Sequence, residues 1–190
     1  MFDKIKNLRR LKGKWLVVVL VFYIKKIIKM QPSKKENKTA NFYYELIKNK
    51  YKIISSKKEY VIIKNDYSDM KISLRNIPSS DIDVFYQIFL NREYQEVLII
   101  AKKYFKNQKI QTILDLGGNI GLTSLFFLSE YSNSKIVVLE PDSGNFDKLK
   151  LNLLINNDFG KNVLVCNAGV WSNDAKLKIS NNFRDGLEWA

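Results

Sequence analysis

The chain of 190 residues contains no histidine and a single cysteine, Cys166. The absence of histidine removes the commonest general base and the commonest zinc ligand. A single cysteine permits neither an internal disulfide nor a cysteine metal site. Cys166 ends an apolar run, so we predict that it is a buried small residue in a protein of a reducing compartment. We predict no metal site.

Acidic residues are scarce in the first third of the chain. Residues 1–60 carry 17 Lys and Arg against 4 Asp and Glu, whereas residues 61–190 carry 15 of each sign. The formal net charge of +13 therefore belongs to the N-terminal part. A nucleic-acid enzyme more often places positive charge around its active site, so this asymmetry disfavours nucleic acid as a partner. It favours a basic arm or a membrane-proximal anchor.

An apolar run long enough to cross a membrane is also missing near the N-terminus. The uncharged stretch 15–24 has ten residues and would span about 15 Å as a helix, half of a hydrocarbon core of roughly 30 Å. We predict that residues 1–30 form a basic amphipathic helix on the anionic inner face of a cytoplasmic membrane, with Trp15, Phe22 and Tyr23 as anchors. The alternatives are a helix packed on its own domain or on a partner, and a spanning or signal segment.

The region after this helix is mostly polar. Residues 31–41 contain Pro32, Ser33 and several charged side chains, which predicts a linker. We predict that residues 42–109 form a small α+β lead-in that starts with a short helix over 42–49. Turn residues separate three short apolar runs, which predict antiparallel strands at 51–54, 59–63 and 70–74.

Two further helices are predicted in the lead-in. Asp81 is placed to cap the first, which runs to about Leu90. The second covers 93–105, with Val97, Leu98 and Ala101 on its apolar face.

Residues 113–141 combine apolar runs, glycines and acids in a fixed order. A short apolar run ends near Asp115, the glycines at 117, 118 and 121 follow, and an apolar helix leads to a second run that ends at Glu140. Strand, glycine turn, helix, strand and acid make up the βαβ unit of a Rossmann-like nucleotide site. The predicted elements are strands at 112–116, 135–139 and 162–166 and helices at 121–130 and 144–156.

The glycine spacing and Asp115 distinguish between possible ligands. The glycines do not match the G-x-G-x-x-G pattern that seats a dinucleotide pyrophosphate on a helix N-terminus. Asp115 would repel a pyrophosphate and attract a cation. The combination favours S-adenosylmethionine, which carries a sulfonium and an ammonium. Glu140 can accept hydrogen bonds from ribose hydroxyls in either ligand, so an NAD-dependent oxidoreductase stays the alternative.

Several motifs carry a resemblance to a known family. Asp115-x-Gly117-Gly118-Asn119-x-Gly121 and Glu140-Pro141 resemble motifs I and II of class I methyltransferases. The chain is further similar to FkbM-type methyltransferases over about residues 70–190. That similarity lies in the residues Ser79, Ser80, Asp81, Asp83, Phe85, Gln87, Phe89, Glu93, Tyr94, Asn145, Phe146, Leu149, Asn152, Asn156, Asn167, Ala168, Gly169 and Trp171.

The resemblance implies a fold and an activity. It implies an α/β, Rossmann-like class I methyltransferase fold over residues 110–190, of which only the first three parallel strands are present. Such a fold is expected to have seven strands, so we expect an N-terminal fragment of a longer enzyme. Residues 176–179 alternate polar and apolar side chains and are predicted to open a hairpin toward 187–189. The family implies O-methylation of a hydroxyl on a glycan or small metabolite.

The predicted cofactor site takes its residues from three strand ends. Gly117 and Gly118 leave room for the methionine moiety, Asp115 orients the ligand or caps the turn, and Glu140 binds the ribose. Asn119 either adopts a left-handed conformation or contacts the ligand, and Gly121 serves close helix packing more than contact. The full set expected to bind S-adenosylmethionine is Asp115, Gly117, Gly118, Asn119, Gly121, Glu140, Pro141, Asn167 and Ala168.

Several residues near this set have two interpretations. Trp171 either shields the cofactor or belongs to the core, and Asp142 can cap the following helix. Asp81, Phe85, Gln87 and Tyr94 either close the site or serve capping and packing. No general base is identified, so the catalytic residue stays unknown. A noncatalytic α/β binding module is the remaining alternative.

Overall fold

The computed structural model describes residues 7–106, 109–156 and 160–176. These residues divide into two compact units, one up to Ile82 and the other from Asp83 onward. The helical residues between 83 and 105 therefore group with the parallel sheet, whereas the sequence placed them in the lead-in. The predicted hairpin between 176 and 189 lies outside the described residues, apart from residue 176.

Two helices open the first unit. Helix α1 covers Lys14–Ile27, and α2 covers Lys34–Lys48. Trp15, Val19 and Phe22 on α1 are buried. The ring of Trp15 lies 5.1 Å from that of Phe42 on α2, and its Nε1 donates to Asn76 Oδ1 at 3.2 Å. One face of α1 is therefore part of the core of this unit.

The prediction that the side chains of Trp15 and Phe22 anchor the helix in a membrane is wrong. Trp15 and Phe22 are 3% and 8% exposed, because their rings fill the space between α1 and the rest of the unit. The Tyr23 hydroxyl donates to the Tyr44 hydroxyl at 3.0 Å. Among the described residues, no helix is long and apolar enough to cross a membrane.

The predicted linker at 31–41 is wrong as well, because α2 begins at Lys34. Ser33 is its N-cap: Glu36 N donates to Ser33 Oγ at 3.2 Å, and Ser33 N donates to Glu36 Oε2 at 2.6 Å. This capping box satisfies two amides of the first turn. Lys25 Nζ also donates to Glu36 at 2.8 Å, and this hydrogen bond holds the pKa of the Glu36 carboxyl below its usual value.

The predicted antiparallel strands are confirmed. Strands β1, β2 and β3 cover Tyr51–Ser56, Tyr60–Asn65 and Lys71–Arg75 and pair in that order. Ile63 on β2 pairs with Ile53 on β1 and with Ile72 on β3. All three are buried, and they form the apolar face of this small sheet.

A short helix, α3, covers Asp81–Phe85 and continues as a π-helical turn over Tyr86–Leu90. The prediction that Asp81 caps this helix is wrong, because Asp81 is its first residue and its carboxylate pairs with Arg75 at 2.7 Å. Helix α4 covers Gln95–Phe105. Leu98 is its buried residue, while Val97, expected on the same apolar face, is 47% exposed.

The second unit is built on a parallel sheet. Strands β4, β5 and β6 cover Thr112–Leu116, Lys135–Leu139 and Val163–Cys166 and lie in that order. Helix α5, Leu122–Glu130, connects β4 to β5, and α6, Ser143–Leu154, leads toward β6 with a 3-10 turn at Gly160–Asn162. Three adjacent parallel strands in chain order with helical connections form half of a Rossmann-like sheet, which confirms the predicted α/β fold class.

The two faces of this sheet differ in burial. Ile136 and Val138 are buried under the helices. On the opposite face Leu114, Leu116 and Leu164 are 57% to 63% exposed. Cys166, on this second face beside Leu139, is partly exposed rather than buried.

Candidate functional site

The glycine turn after β4 is fixed to the neighbouring strand by its backbone. The amides of Gly117 and Gly118 both donate to the Leu139 carbonyl oxygen at 2.9 Å. Gly117 has φ 105° and Asn119 has φ 48°, which places both in the left-handed region. Gly117 makes this conformation possible without strain, and Asn tolerates it better than most residues. The prediction of a left-handed Asn119 is confirmed.

Two of the glycines are required by packing. A Cβ at Gly118 would lie 2.2 Å from Val138 Cγ1, and a Cβ at Gly121 would lie 3.1 Å from Leu149 Cγ. The packing interpretation of Gly121 is therefore supported, and it applies to Gly118 too. A Cβ at Gly117 would meet no atom within 4 Å. Of the three glycines, Gly117 faces open space.

Asp115 lies on the helix-covered side of β4 and is partly buried. Ser124 Oγ on α5 donates to Asp115 Oδ2 at 2.6 Å. Burial raises the pKa of the Asp115 carboxyl, and the Ser124 hydrogen bond partly offsets that rise. The described hydrogen bond of Asp115 comes from a hydroxyl on α5. The structural role considered for Asp115, capping of the turn, would instead have its carboxylate accept from amides of the glycine turn.

Glu140 connects the glycine turn to the loop after β5. Asn119 N donates to Glu140 Oε2 at 2.7 Å, and Asp142 N donates to Glu140 Oε1 at 2.8 Å. The residue is 5% exposed. Each carboxylate oxygen thus accepts one backbone amide and keeps a second lone pair. The Oδ1 atom of Asn119 is buried without a hydrogen-bond partner.

The ends of β5 and β6 are held together by side chains. Asn167 Nδ2 donates to the Glu140 and Pro141 carbonyl oxygens at 2.8 and 3.2 Å. Asp142 caps α6 as expected, since its Oδ1 accepts from Asn145 N at 2.7 Å. These bonds fix Pro141 where β5 gives way to α6.

A cleft of about 860 Å³ lies at the carboxyl ends of the three parallel strands. The end of an open α/β sheet is where such folds bind ligands. The volume lies within the range of ordinary small-molecule sites, about 300–1,000 Å³. The lining residues are Leu116, Gly117, Leu139, Pro141, Asn167, Ala168, Gly169, Val170, Trp171, Ser172, Asn173, Asp174 and Ala175.

Comparison with known proteins gives structural likeness only. The structure is similar to P. horikoshii TYW2 in complex with MeSAdo, with 16% identity and a TM-score of 0.39 over 70% of this chain and 47% of that one. It is also similar to coclaurine N-methyltransferase bound to N-methylheliamine and SAH, with 14% identity and a TM-score of 0.34 over 85% of this chain and 45% of that one.

These likenesses are distant. This chain spans about half the length of the two proteins that it matches. No family model matches the sequence, and no curated protein matches it. A functional interpretation of this structure therefore rests on the strand order of the sheet and on the cleft.

The predicted site residues fall into two groups. Gly117, Pro141, Asn167 and Ala168 line the cleft. The others lie behind its wall and shape it through hydrogen bonds or packing: Asp115, Gly118, Asn119, Gly121 and Glu140. Trp171 lines the cleft and is 64% exposed, so its core interpretation is wrong.

The residues expected to close the site have structural roles. Phe85 is fully buried and stacks on Phe89 with 6.0 Å between ring centroids. Tyr94 packs on Phe127 with centroids 5.4 Å apart. These contacts favour the packing interpretation.

Residues 172–175 line the cleft but were not predicted from the sequence. Among all the lining residues, Asp174 is the charged side chain. The available sequence signal was their position directly after β6, because the loop at the carboxyl end of a parallel strand contributes to the ligand crevice.

Proposed function

We propose that this chain binds S-adenosylmethionine in the cleft at the ends of β4, β5 and β6 and is a methyltransferase domain. The observation that carries the proposal is the convergence of Gly117, Pro141 and Asn167 on one cleft, with Glu140 hydrogen-bonded to both adjoining loops. The segments of Gly117 and Pro141 resemble motifs I and II of class I methyltransferases, and the segment of Asn167 resembles the FkbM-type family.

The charge of the cleft supports this cofactor over a dinucleotide. None of the lining residues that the structure describes is Lys or Arg, and Asp174 is acidic. A pyrophosphate would meet no positive side chain there, whereas a sulfonium and an ammonium would be attracted. The electrostatics therefore favour a cationic ligand over NAD.

The residues present fit the proposed cofactor. The open space beside Gly117 admits the methionine end next to the backbone. Glu140 retains one acceptor lone pair on each carboxylate oxygen for a ribose hydroxyl. The backbone of Asn167 and Ala168 and the ring of Trp171 border the space for the adenine.

The reaction would need positioning more than acid–base chemistry. Bound S-adenosylmethionine would supply an activated methyl group on a positively charged sulfur. The chain would hold that group in line with the acceptor and exclude water from it. The group that removes a proton from the acceptor is not assigned among the described residues.

We further propose FkbM-type O-methylation of a hydroxyl on a glycan or small metabolite. The support is the resemblance of residues 70–190 to that family. We also propose that the chain works at the cytoplasmic face of a membrane, where the N-terminal charge would suit membrane-bound glycan assembly.

Isothermal titration calorimetry of the full chain with S-adenosylmethionine and with NAD tests the cofactor. We expect heat of binding with S-adenosylmethionine and none with NAD. Ala168→Phe would fill the cleft from an exposed position, and Glu140→Gln would remove the charge opposite the ribose. We expect each to weaken binding by about tenfold or more, the effect of losing a charged hydrogen bond or of steric exclusion.

Asp147→Asn is the matched control, because Asp147 is an exposed acid on α6 that does not line the cleft. It should leave affinity unchanged. Circular dichroism checks that all variants fold. No heat with S-adenosylmethionine, or equal binding by the wild type and Ala168→Phe, contradicts the proposal.

A further inference from the structure

Helix α1 has a second apolar face that its own unit does not cover. Val17, Leu20, Val21, Ile24, Ile27 and Ile28 recur at helical spacing, and we call them the outward face. Their exposed fractions run from 36% to 79%. They lie opposite the buried Trp15, Val19 and Phe22. A contiguous apolar stripe of this kind marks a surface that contacts protein or lipid.

The charge around the outward face is of one sign. Residues 7–35 contain nine Lys and Arg and no Asp or Glu. Lys12 and Lys14 lie at the start of the helix, where each ammonium donates one hydrogen bond to a backbone carbonyl oxygen of its own unit, that of Ile54 at 3.0 Å and that of Lys58 at 3.2 Å. Lys26 and Lys29 lie at its end and are exposed, and Lys26 Nζ lies 5.8 Å from the centre of the Phe22 ring. Arg10 and Lys25 are neutralised by Asp66 and Glu36, so the remaining excess belongs to the two ends of α1.

We propose that the outward face docks α1 flat on an anionic lipid bilayer. Its aliphatic side chains would enter the boundary between headgroups and acyl chains, while lysines at both ends of the helix pair with lipid phosphates. Fourteen helical residues span about 21 Å, too short to cross the hydrocarbon core but long enough to lie along it.

The side chains that carry this inference differ from the anchors predicted from the sequence. The aromatic residues hold α1 to its own unit, which leaves the aliphatic residues free for lipid. A helix fixed to its unit in this way is already ordered before it binds. Membrane binding then costs no folding entropy, unlike that of an unstructured basic arm.

Charge favours lipid over a second copy of the chain. In a symmetric pair, each outward face would meet its equivalent, and two helices with basic ends would be brought together. Like charges in such contact are unfavourable. An anionic bilayer supplies the complementary charge and the apolar layer in one surface.

Vesicle co-sedimentation of the full chain tests the proposal. The vesicles are phosphatidylcholine alone or phosphatidylcholine with an equal amount of phosphatidylglycerol. We expect strong binding to the anionic vesicles, weak binding to the neutral ones, and a loss of affinity with rising salt. Ile24→Ser with Ile27→Ser should lower the affinity by about tenfold or more, because both side chains lose contact with lipid. Lys26→Gln with Lys29→Gln should have a similar effect.

Ile99→Ser with Tyr104→Ser is the matched control, since both residues are exposed on α4, at 57% and 72%. It should bind like the wild type. Equal loss in the control, equal binding to both kinds of vesicle, or no binding overturns the proposal. Sedimentation velocity adds a second readout: a wild-type dimer abolished by the Ile24/Ile27 variant would assign the outward face to self-association instead. The test does not involve the cofactor, so its result is independent of the proposed S-adenosylmethionine binding, and it bears directly on the proposed location at a membrane.

Discussion

Asp115 and Glu140 are carboxylates at the ends of adjacent strands, and their surroundings differ. Two backbone amides donate to Glu140, whereas Asp115 receives a hydroxyl from Ser124. Burial raises the pKa of the Asp115 carboxyl, and the hydrogen bond from Ser124 partly offsets the rise. The charged form of Asp115 is therefore disfavoured in the folded protein.

The raised pKa of Asp115 gives a pH dependence of known sign. An unfolded Asp has a pKa of about 3.9, and the folded pKa lies above it. Between these two values the native state binds more protons than the unfolded state, so the contribution of Asp115 to stability falls as pH rises through this window. Above the window, the charged Asp115 carboxylate destabilises the folded protein by a constant amount up to neutral pH.

Asp115→Asn removes this cost while it keeps an acceptor for Ser124. We expect the variant to be more stable than the wild type at neutral pH, with the difference shrinking as pH falls through this window and lost below about 4. Urea unfolding over a pH series measures it. A variant that is equally or less stable at neutral pH would show that the charged carboxylate is not costly. Ser124→Ala serves as a second variant, since losing the hydroxyl donor should raise the pKa of Asp115 further.

At this scale the sequence located residues at the strand ends but did not predict the contacts that they make. Glu140 and Gly118 were predicted as ligand contacts, yet the described contacts of Glu140 are amides and those of Gly118 are core side chains. Spacing along the chain locates a residue at a strand end. It does not reveal which neighbour fills the space beside it, because that depends on side chains far away in sequence.

Secondary structure elements were predicted best where apolar runs and glycines agree. The bounds of β4 and β5 are those expected, because short apolar runs between turn residues leave little choice of end point. Helix α2 was missed at its start, since its first turns carry Lys34, Lys35 and Glu36 in place of apolar residues. The Ser33-x-x-Glu36 capping box was the signal available in the sequence.

The capping box should be measurable as helix stability. Ser33→Ala removes the acceptor for Glu36 N, and we expect the free energy of unfolding to fall by about 1 kcal/mol. Urea denaturation followed by circular dichroism measures the change. Ser132→Ala, in an exposed turn, is the control and should change stability little. Equal stability of both variants would mean that the cap is not formed in solution.

The whole molecule consists of two units with separate cores. The first has a core of α1, α2 and an antiparallel sheet, and the second is built on a parallel sheet. The sequence predicted both sheets but placed the boundary later. Composition changes gradually between 83 and 110, and the grouping of those helices depends on tertiary contacts that periodicity does not encode.

Because the two units have separate cores, a destabilising substitution in the core of one unit should lower the stability mainly of that unit. Leu46 on α2 is fully buried, and Leu46→Ala should cost about 2–5 kcal/mol. We expect faster amide hydrogen exchange through α1, α2 and β1–β3, with a much smaller effect in β4–β6. Exchange measured by mass spectrometry resolves the two regions. A uniform acceleration along the chain would show instead that the units unfold as one.

The Leu139 carbonyl oxygen accepts the amides of both Gly117 and Gly118. This anchor consists only of main-chain atoms, so replacing the side chain at position 139 leaves it in place. Random drift at this position would therefore be tolerated as long as the strand itself forms. Homologous sequences could therefore differ completely at this position and still hold the glycine turn by the same two main-chain hydrogen bonds. A sequence alignment would not reveal that this contact is shared.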